Sequence, residues 1–330
     1  MRKSAYLLLF TCASAFIACT EDIVPDSPKS DATNIKRIVA VINEPVFDDE
    51  ASTRTVYNNS TNKFVWAISD TIGIFPTTGD QVSFPINKEQ ANQATVDFNG
   101  GGWDLKADST YFAYFPFDRK NYWGYNAKNA IKISFTGQKQ TGKNNADFAK
   151  SYPLVSYGVN NNGNVHFSFN HIASFGVFTI TSPVAATFTK AILTTEDGGN
   201  YFIQEGTYDL SKTTASSVPS IKAKTYGASI TLNLVNVTAS KNESFVIFMT
   251  VPPTQALASK VKLRLVDSSG NVYSGNPINP ADRNKDDIAK FNAGTRYRRS
   301  FTLESEGMFI LNTENDDFST SEEDNVNMKQ

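Results

Sequence analysis

From Ile35 onward, apolar residues recur in short runs of period two or as brief β-branched and aromatic stretches. Examples are Ile38-Val39-Ala40-Val41-Ile42, Thr110-Tyr111-Phe112-Ala113-Tyr114-Phe115 and Ile131-Lys132-Ile133-Ser134-Phe135. Val165 to Phe169, Ile230 to Leu234, Phe245 to Thr250 and Val261 to Leu265 continue the pattern. Each has the length and residue types of a strand with one buried face, and no helical periodicity persists beyond three turns. The turns between them include Asn99-Gly100-Gly101-Gly102, Asn161-Asn162-Gly163-Asn164, Asp197-Gly198-Gly199-Asn200 and Ser268-Ser269-Gly270-Asn271. Asn and Gly tolerate the positive φ that tight reversals require. Strands at this spacing predict antiparallel sandwiches or open barrels. The small-residue stretch Ser182-Pro183-Val184-Ala185-Ala186 predicts a boundary between a domain over 35–182 and a second over 183–303. No short internal repeat is present.

The N-terminus follows a different rule. Met1-Arg2-Lys3 is basic, and Ala5 to Ala18 is apolar but shorter than the about 20 residues a membrane span needs. Residues 1–18 therefore read as an export signal. Its end, Phe16-Ile17-Ala18-Cys19, resembles the lipobox of a bacterial lipoprotein, with Phe16 where Leu is usual. That resemblance implies cleavage between Ala18 and Cys19 and acylation of the Cys19 thiol. The alternative is a plain secretory signal with an incidental Cys. Residues 19–34 read as a flexible tether, and its opening Thr20-Glu21-Asp22 resembles the surface-export signal of Bacteroidetes lipoproteins.

Composition narrows the function. The chain has 330 residues, 31 Lys+Arg against 33 Asp+Glu, and a net charge of -2. That balance gives no general attraction to nucleic acid. Two His and two Cys leave little material for a zinc site, a His-based triad or a disulfide framework, and Cys12 falls within the removed signal. No Gly-x-Ser-x-Gly elbow, His-Glu-x-x-His or phosphate-binding loop occurs. The chain reads as a non-enzyme that needs no cofactor. His166 and His171, five residues apart, fall on opposite faces of one strand, which opposes a shared metal site. Asp282, Asp286 and Asp287 share a loop without the spacing of a calcium cage. No metal is expected.

The end of the chain is acidic. Residues 304–330 hold eight Asp or Glu and one Lys, around one apolar patch, Met308-Phe309-Ile310-Leu311. Such a tail has the composition of disorder, yet the patch has the pattern of a strand that could be given to a partner.

Several segments in order resemble the fimbrillin family, the subunits and accessory proteins of type V pili of Bacteroidales. They are Ala51-Ser52-Thr53-Arg54-Thr55, Phe64-Val65-Trp66, Ser69 to Phe75 and Tyr111 to Pro116. Phe167 to Ile172, Val251-Pro252-Pro253 and Asn292-Ala293-Gly294-Thr295-Arg296-Tyr297 complete the set. The resemblance, over residues 36–303, implies an all-β fold with little helix: two tandem antiparallel β-sandwich domains of transthyretin-like, Greek-key type. Trp66, Phe75, Tyr111 and Phe115 are then core residues.

The same resemblance implies an assembly route. A trypsin-like protease cuts after Arg54, leaving Thr55 as the new N-terminus and releasing the strand over 35–47. A strand from another pilus subunit, self or related, fills the vacated slot by β-augmentation. Ile38, Ala40 and Ile42 on one face, with Val39 and Val41 on the other, predict a strand buried between sheets. Met308, Phe309, Ile310 and Leu311 are the donor candidates. The location implied is the cell outer membrane, held by a lipid anchor, and the fimbrium after processing. The alternative is a relative that keeps its first strand, a surface lipoprotein that binds glycans or host ligands. The polar loop carrying Tyr122, Trp123 and Tyr125 has the chemistry for such contacts, or folds back over the end of the sandwich.

Overall fold

The alternating runs become strands in the structure, a computed structural model that describes residues 35–47, 64–98, 105–121, 127–144, 147, 152–255, 257–275 and 290–308. The first strands are β1 (Arg37–Ile42), β2 (Val46–Phe47), β3 (Thr71–Pro76), β4 (Val82–Pro85) and β5 (Thr95–Phe98). They are followed by β6 (Thr110–Phe115), β7 (Ile131–Ser134), β8 (Gln138–Thr141), β9 (Leu154–Asn161) and β10 (Asn164–His171). Next come β11 (Ser174–Thr181), β12 (Ala186–Thr195), β13 (Phe202–Tyr208), β14 (Ile221–Gly227) and β15 (Ser229–Ala239). The last are β16 (Ser244–Val251), β17 (Val261–Asp267), β18 (Asn271–Gly275) and β19 (Thr295–Met308). Among the described residues the only helical elements are short 3-10 turns, so the all-β expectation holds.

Three sheets form. The first runs β4-β3-β6-β9-β10-β1-β5, the second β16-β11-β19-β18-β17-β12-β15-β8 with β2 added on β19, and the third β14-β13-β7. Strands β7, β8 and β11, all before residue 183, pair with strands after it. The turn between β9 and β10 follows the predicted chemistry: Asn162 and Gly163 have φ of 53° and 91°. A two-residue reversal of type I′ needs positive φ at both positions.

Two main cores lie between the sheets. One gathers Trp66, Ile74, Tyr111, Phe115, Phe167 and Phe169, and the other Phe75, Phe178, Leu193, Leu232, Ile247 and Phe301. Trp66, Phe75, Tyr111 and Phe115 are all buried, as the aromatic pattern predicts. Strand β11 is a shared wall: Phe175 and Val177 face the first core, while Phe178 and Ile180 face the second. Side chains alternate across a strand, so a strand walled by two cores must be apolar at successive positions.

The acidic stretch begins inside a sheet. Glu304 to Met308 belong to β19 and pair with β18, with Ser274 opposite Glu304 and Asn271 opposite Met308. Glu306 lies at an irregularity in this ladder and is ion-paired with Lys262 and, at 3.1 Å, with Arg264. Two cations on β17, one strand beyond β18, thus hold a residue whose composition alone points to a solvated tail.

Candidate functional site

The segment 35–47 is tied to both large sheets. Strand β1 lies inside the first sheet, parallel to β10 along Arg37–Ile42 and antiparallel to β5 along Ile38–Val41. Ile38, Ala40 and Ile42 point into the core and are 2%, 0% and 3% exposed. Burying two isoleucines contributes roughly 3–6 kcal/mol. Ala40 sits in register between Phe167 and Val96. A small residue there lies between two larger buried neighbours on the same face. Val39 and Val41 are half-buried, so this is a one-faced strand within a sheet, not one buried on both sides. Opposite faces of β10 likewise separate exposed His166 from buried His171.

Beyond Ile42 the chain crosses from one sheet to the other. The Asn43 N–H donates to the Phe169 carbonyl at 2.9 Å, and the Asn43 side-chain amide donates to Asn170 Oδ1 at 2.7 Å. His171 Nε2 lies 2.7 Å from the Asn43 carbonyl, which places the ring proton on Nε2. Burial holds this imidazole far below its ordinary range, to about 3; the hydrogen bond to Asn43 opposes that shift, and the nearby Arg296 cation adds to it. The ring is therefore neutral.

Glu44 meets two groups from later in the chain. Its Oε1 accepts from the Phe64 N–H at 3.2 Å, and its Oε2 lies 3.6 Å from an Arg296 guanidinium nitrogen. The Arg296 side chain is 0% exposed and that of Glu44 37%. The Phe64 ring lies 6.0 Å from the guanidinium carbon. Phe64, Tyr152, His171 and Phe175 pack edge-on and tilted around this point, with ring centroids 4.6 Å apart for Phe64–Tyr152 and 4.8 Å for His171–Phe175. Pro45 is buried, and β2 then pairs with β19, Val46 opposite Thr295 and Phe47 opposite Arg296.

Most residues singled out from sequence lie outside the described residues: Ala18, Cys19, Arg54, Thr55, Tyr122, Trp123, Tyr125, Phe309, Ile310 and Leu311, along with Asp282, Asp286 and Asp287. Met308 ends β19, its main chain paired with Asn271. Sequence reasoning missed Glu44 and Arg296. The signal was partial: Glu44 continues the sequence parity of Ile38, Ala40 and Ile42, whereas Arg296 is one of three arginines between Thr295 and Arg299 and nothing local marks it as the buried one. Among the described residues no cluster of three His, Cys, Asp or Glu could hold a metal ion. A separate cleft of about 460 Å³, lined by Tyr201, Ile203, Tyr226 and Pro253 among others, has no carboxylate, imidazole or thiol in its lining.

Comparison with known proteins identifies the family of the chain. Residues 53–320 match the family model described as fimbrillin-like. A protein from Bacteroides ovatus ATCC 8483, provisionally assigned to cell adhesion, is 16% identical, with 84% of this chain and 99% of that one covered and a TM-score of 0.46. A counterpart from Bacteroides uniformis ATCC 8492 is 14% identical, with 83% and 97% covered and a TM-score of 0.49. The tip fimbrial protein Mfa3 from Porphyromonas gingivalis, truncated at its C-terminus, is 10% identical, with 83% and 99% covered and a TM-score of 0.37. No curated protein matches. The family match spans well over half of the residues, and the chain belongs to the fimbrillin-like family.

Proposed function

We propose that this chain is a non-catalytic structural component of a cell-surface fimbria. It reaches the outer membrane as a lipoprotein, cut before Cys19 and acylated there. A trypsin-like protease then cuts after Arg54, and the segment ending at that residue leaves. A strand of another fimbrial subunit takes its place beside β10. The observation that carries this reading is the position of β1: an interior strand of the first sheet, supplied by the first described segment and followed by sixteen residues that contain Arg54. Its departure opens the edge of β10 and a slot lined by Val165, Phe167 and Phe169. An open edge above apolar side chains is a ready acceptor for another strand.

The donor we assign to the apolar patch Met308 to Leu311. Because Glu304 to Met308 pair with β18, a deletion beginning at Phe309 tests the donor without cutting the sheet. Loss of polymer on deleting 309–330 supports the assignment; unchanged polymer overturns it.

The function itself is tested by mass spectrometry of the protein taken from the native cell surface. The expected N-terminal residue is Thr55, with the Arg54→Ala variant giving no processed form. A start at acylated Cys19 in all of the surface protein overturns processing and favours a membrane-held binder.

A further inference from the structure

We propose, on the strength of the exchange reading above, that the vacated slot selects its incoming strand by charge, and that Arg296 and the Phe64 N–H form the reading site for a carboxylate. The occupant is an extended segment of another subunit with an acidic residue six positions after its first inward apolar residue, as Glu44 follows Ile38; in the donor assigned above, Glu314 stands in that relation to Met308. Period two puts Ile38, Ala40 and Ile42 on one side of β1, and Glu44 lies just beyond its end, where the chain crosses to the second sheet.

The argument rests on which groups stay behind. Cleavage after Arg54 removes Asn43 and Glu44 but retains Phe64, His171 and Arg296. The Phe64 N–H and the Arg296 guanidinium both address the Glu44 carboxylate, one on each oxygen, at 3.2 Å and 3.6 Å. His171 Nε2 addresses the neighbouring main-chain carbonyl of residue 43 at 2.7 Å. Every residue carries that carbonyl, so His171 fixes position; only an acidic side chain restores what Arg296 and Phe64 lose. Arginine stays protonated even when buried, so withdrawing a carboxylate from beside this enclosed cation weakens what offsets its charge. Glu44 remains partly exposed while Arg296 is fully enclosed. An arriving strand therefore brings in a carboxylate that keeps contact with water, and the costly buried charge is already in place. Sterically matched strands lacking the acid are rejected by this site, which apolar pockets alone do poorly.

The test uses the full chain with a specific protease site placed within residues 48–63, so that nicking does not depend on Arg54. Fluorescent peptides of residues 35–47, native or carrying Glu44→Gln or Glu44→Lys, compete for the nicked protein, and capture is read by anisotropy. The expected result is capture of the native peptide, at least about tenfold weaker capture with Gln, and weaker still with Lys. In Arg296→Met protein the preference for Glu disappears. Equal capture of the three peptides by the unsubstituted protein, or a preference that survives Arg296→Met, overturns the charge selection alone. Capture of no peptide overturns the exchange reading along with it. A denaturation series on un-nicked chains guards against a misfolded variant: Arg296→Met should recover most of the midpoint lost to Glu44→Gln, and strictly additive losses overturn the pairing.

Discussion

The first and last strands of the described chain both line a core, yet they are held in different ways. Strand β1 has six residues, three of them directed inward, one of which is alanine. Its neighbour β5 is a four-residue edge strand. Strand β19 has fourteen residues and changes neighbours along its length, pairing with β11 along Arg296–Thr302 and with β18 along Leu303–Met308. It contributes Tyr297, Phe301 and Leu303 to the second core. A strand with few large side chains, close to a sheet edge, can leave while the rest persists. A strand shared among several neighbours cannot, because removing it separates them all.

Substitutions in the two strands sharpen that contrast. The largest effect is expected for Phe301→Ala, which empties a 3%-exposed site packed edge-on against Phe178 at 5.6 Å. The expected loss is about 3–5 kcal/mol in a urea titration, with global unfolding as a single transition. In β1, Ile42→Ala should cost about 2–5 kcal/mol, but mainly as a separate early loss of the first segment. Hydrogen exchange reads this directly: amides of β1 and β5 become unprotected while those of β11 and β19 stay protected. Equal loss of protection in all four strands would break the comparison.

A smaller effect comes from His171 at the crossing point. Its folded pKa lies at about 3, below the unfolded value near 6.5. The unfolded chain therefore binds a proton that the folded chain refuses. The stabilisation is complete above pH 6.5 and is lost progressively as the pH falls toward 3. By pH 5.5 the loss is about 1.4 kcal/mol, and His171→Gln should remove this part of the acid dependence of the denaturation midpoint. The smallest effect is expected at Arg37, whose ion pair with Asp97 at 2.9 Å is largely solvated. Arg37→Ala should leave the midpoint unmoved, and a measurable shift would mean that the solvent edge of β1 holds the strand more firmly than its core face.

Much of this architecture is legible in the sequence because its signals are local. Period two in Ile38 to Ile42 gives the strand, while its apolar Val39 and Val41 read as a second buried face that the fold leaves half-exposed. Asn162-Gly163 gives the hairpin between β9 and β10, and alternating aromatics give Trp66, Tyr111 and Phe115 their places in a core. Other features depend on residues far apart. Strands β7 and β8 join sheets built by residues after 183, and nothing within Ile131 to Thr141 encodes those partners. The same holds for Glu306, an acidic residue in an acidic stretch, which is seated by Lys262 and Arg264 from another strand.

The crossing at Glu44 divides the two kinds of information most clearly. By itself the sequence determined an all-β chain, most of its strands, the Asn162-Gly163 turn and its family, since backbone sterics and side-chain periodicity act over a few neighbouring residues. Tertiary structure decided that residues 35–47 join the two large sheets, and that Glu44 meets Phe64 and Arg296, residues distant along the chain. A carboxylate acquires this role only when folding removes the guanidinium from water and brings the two within ion-pair distance.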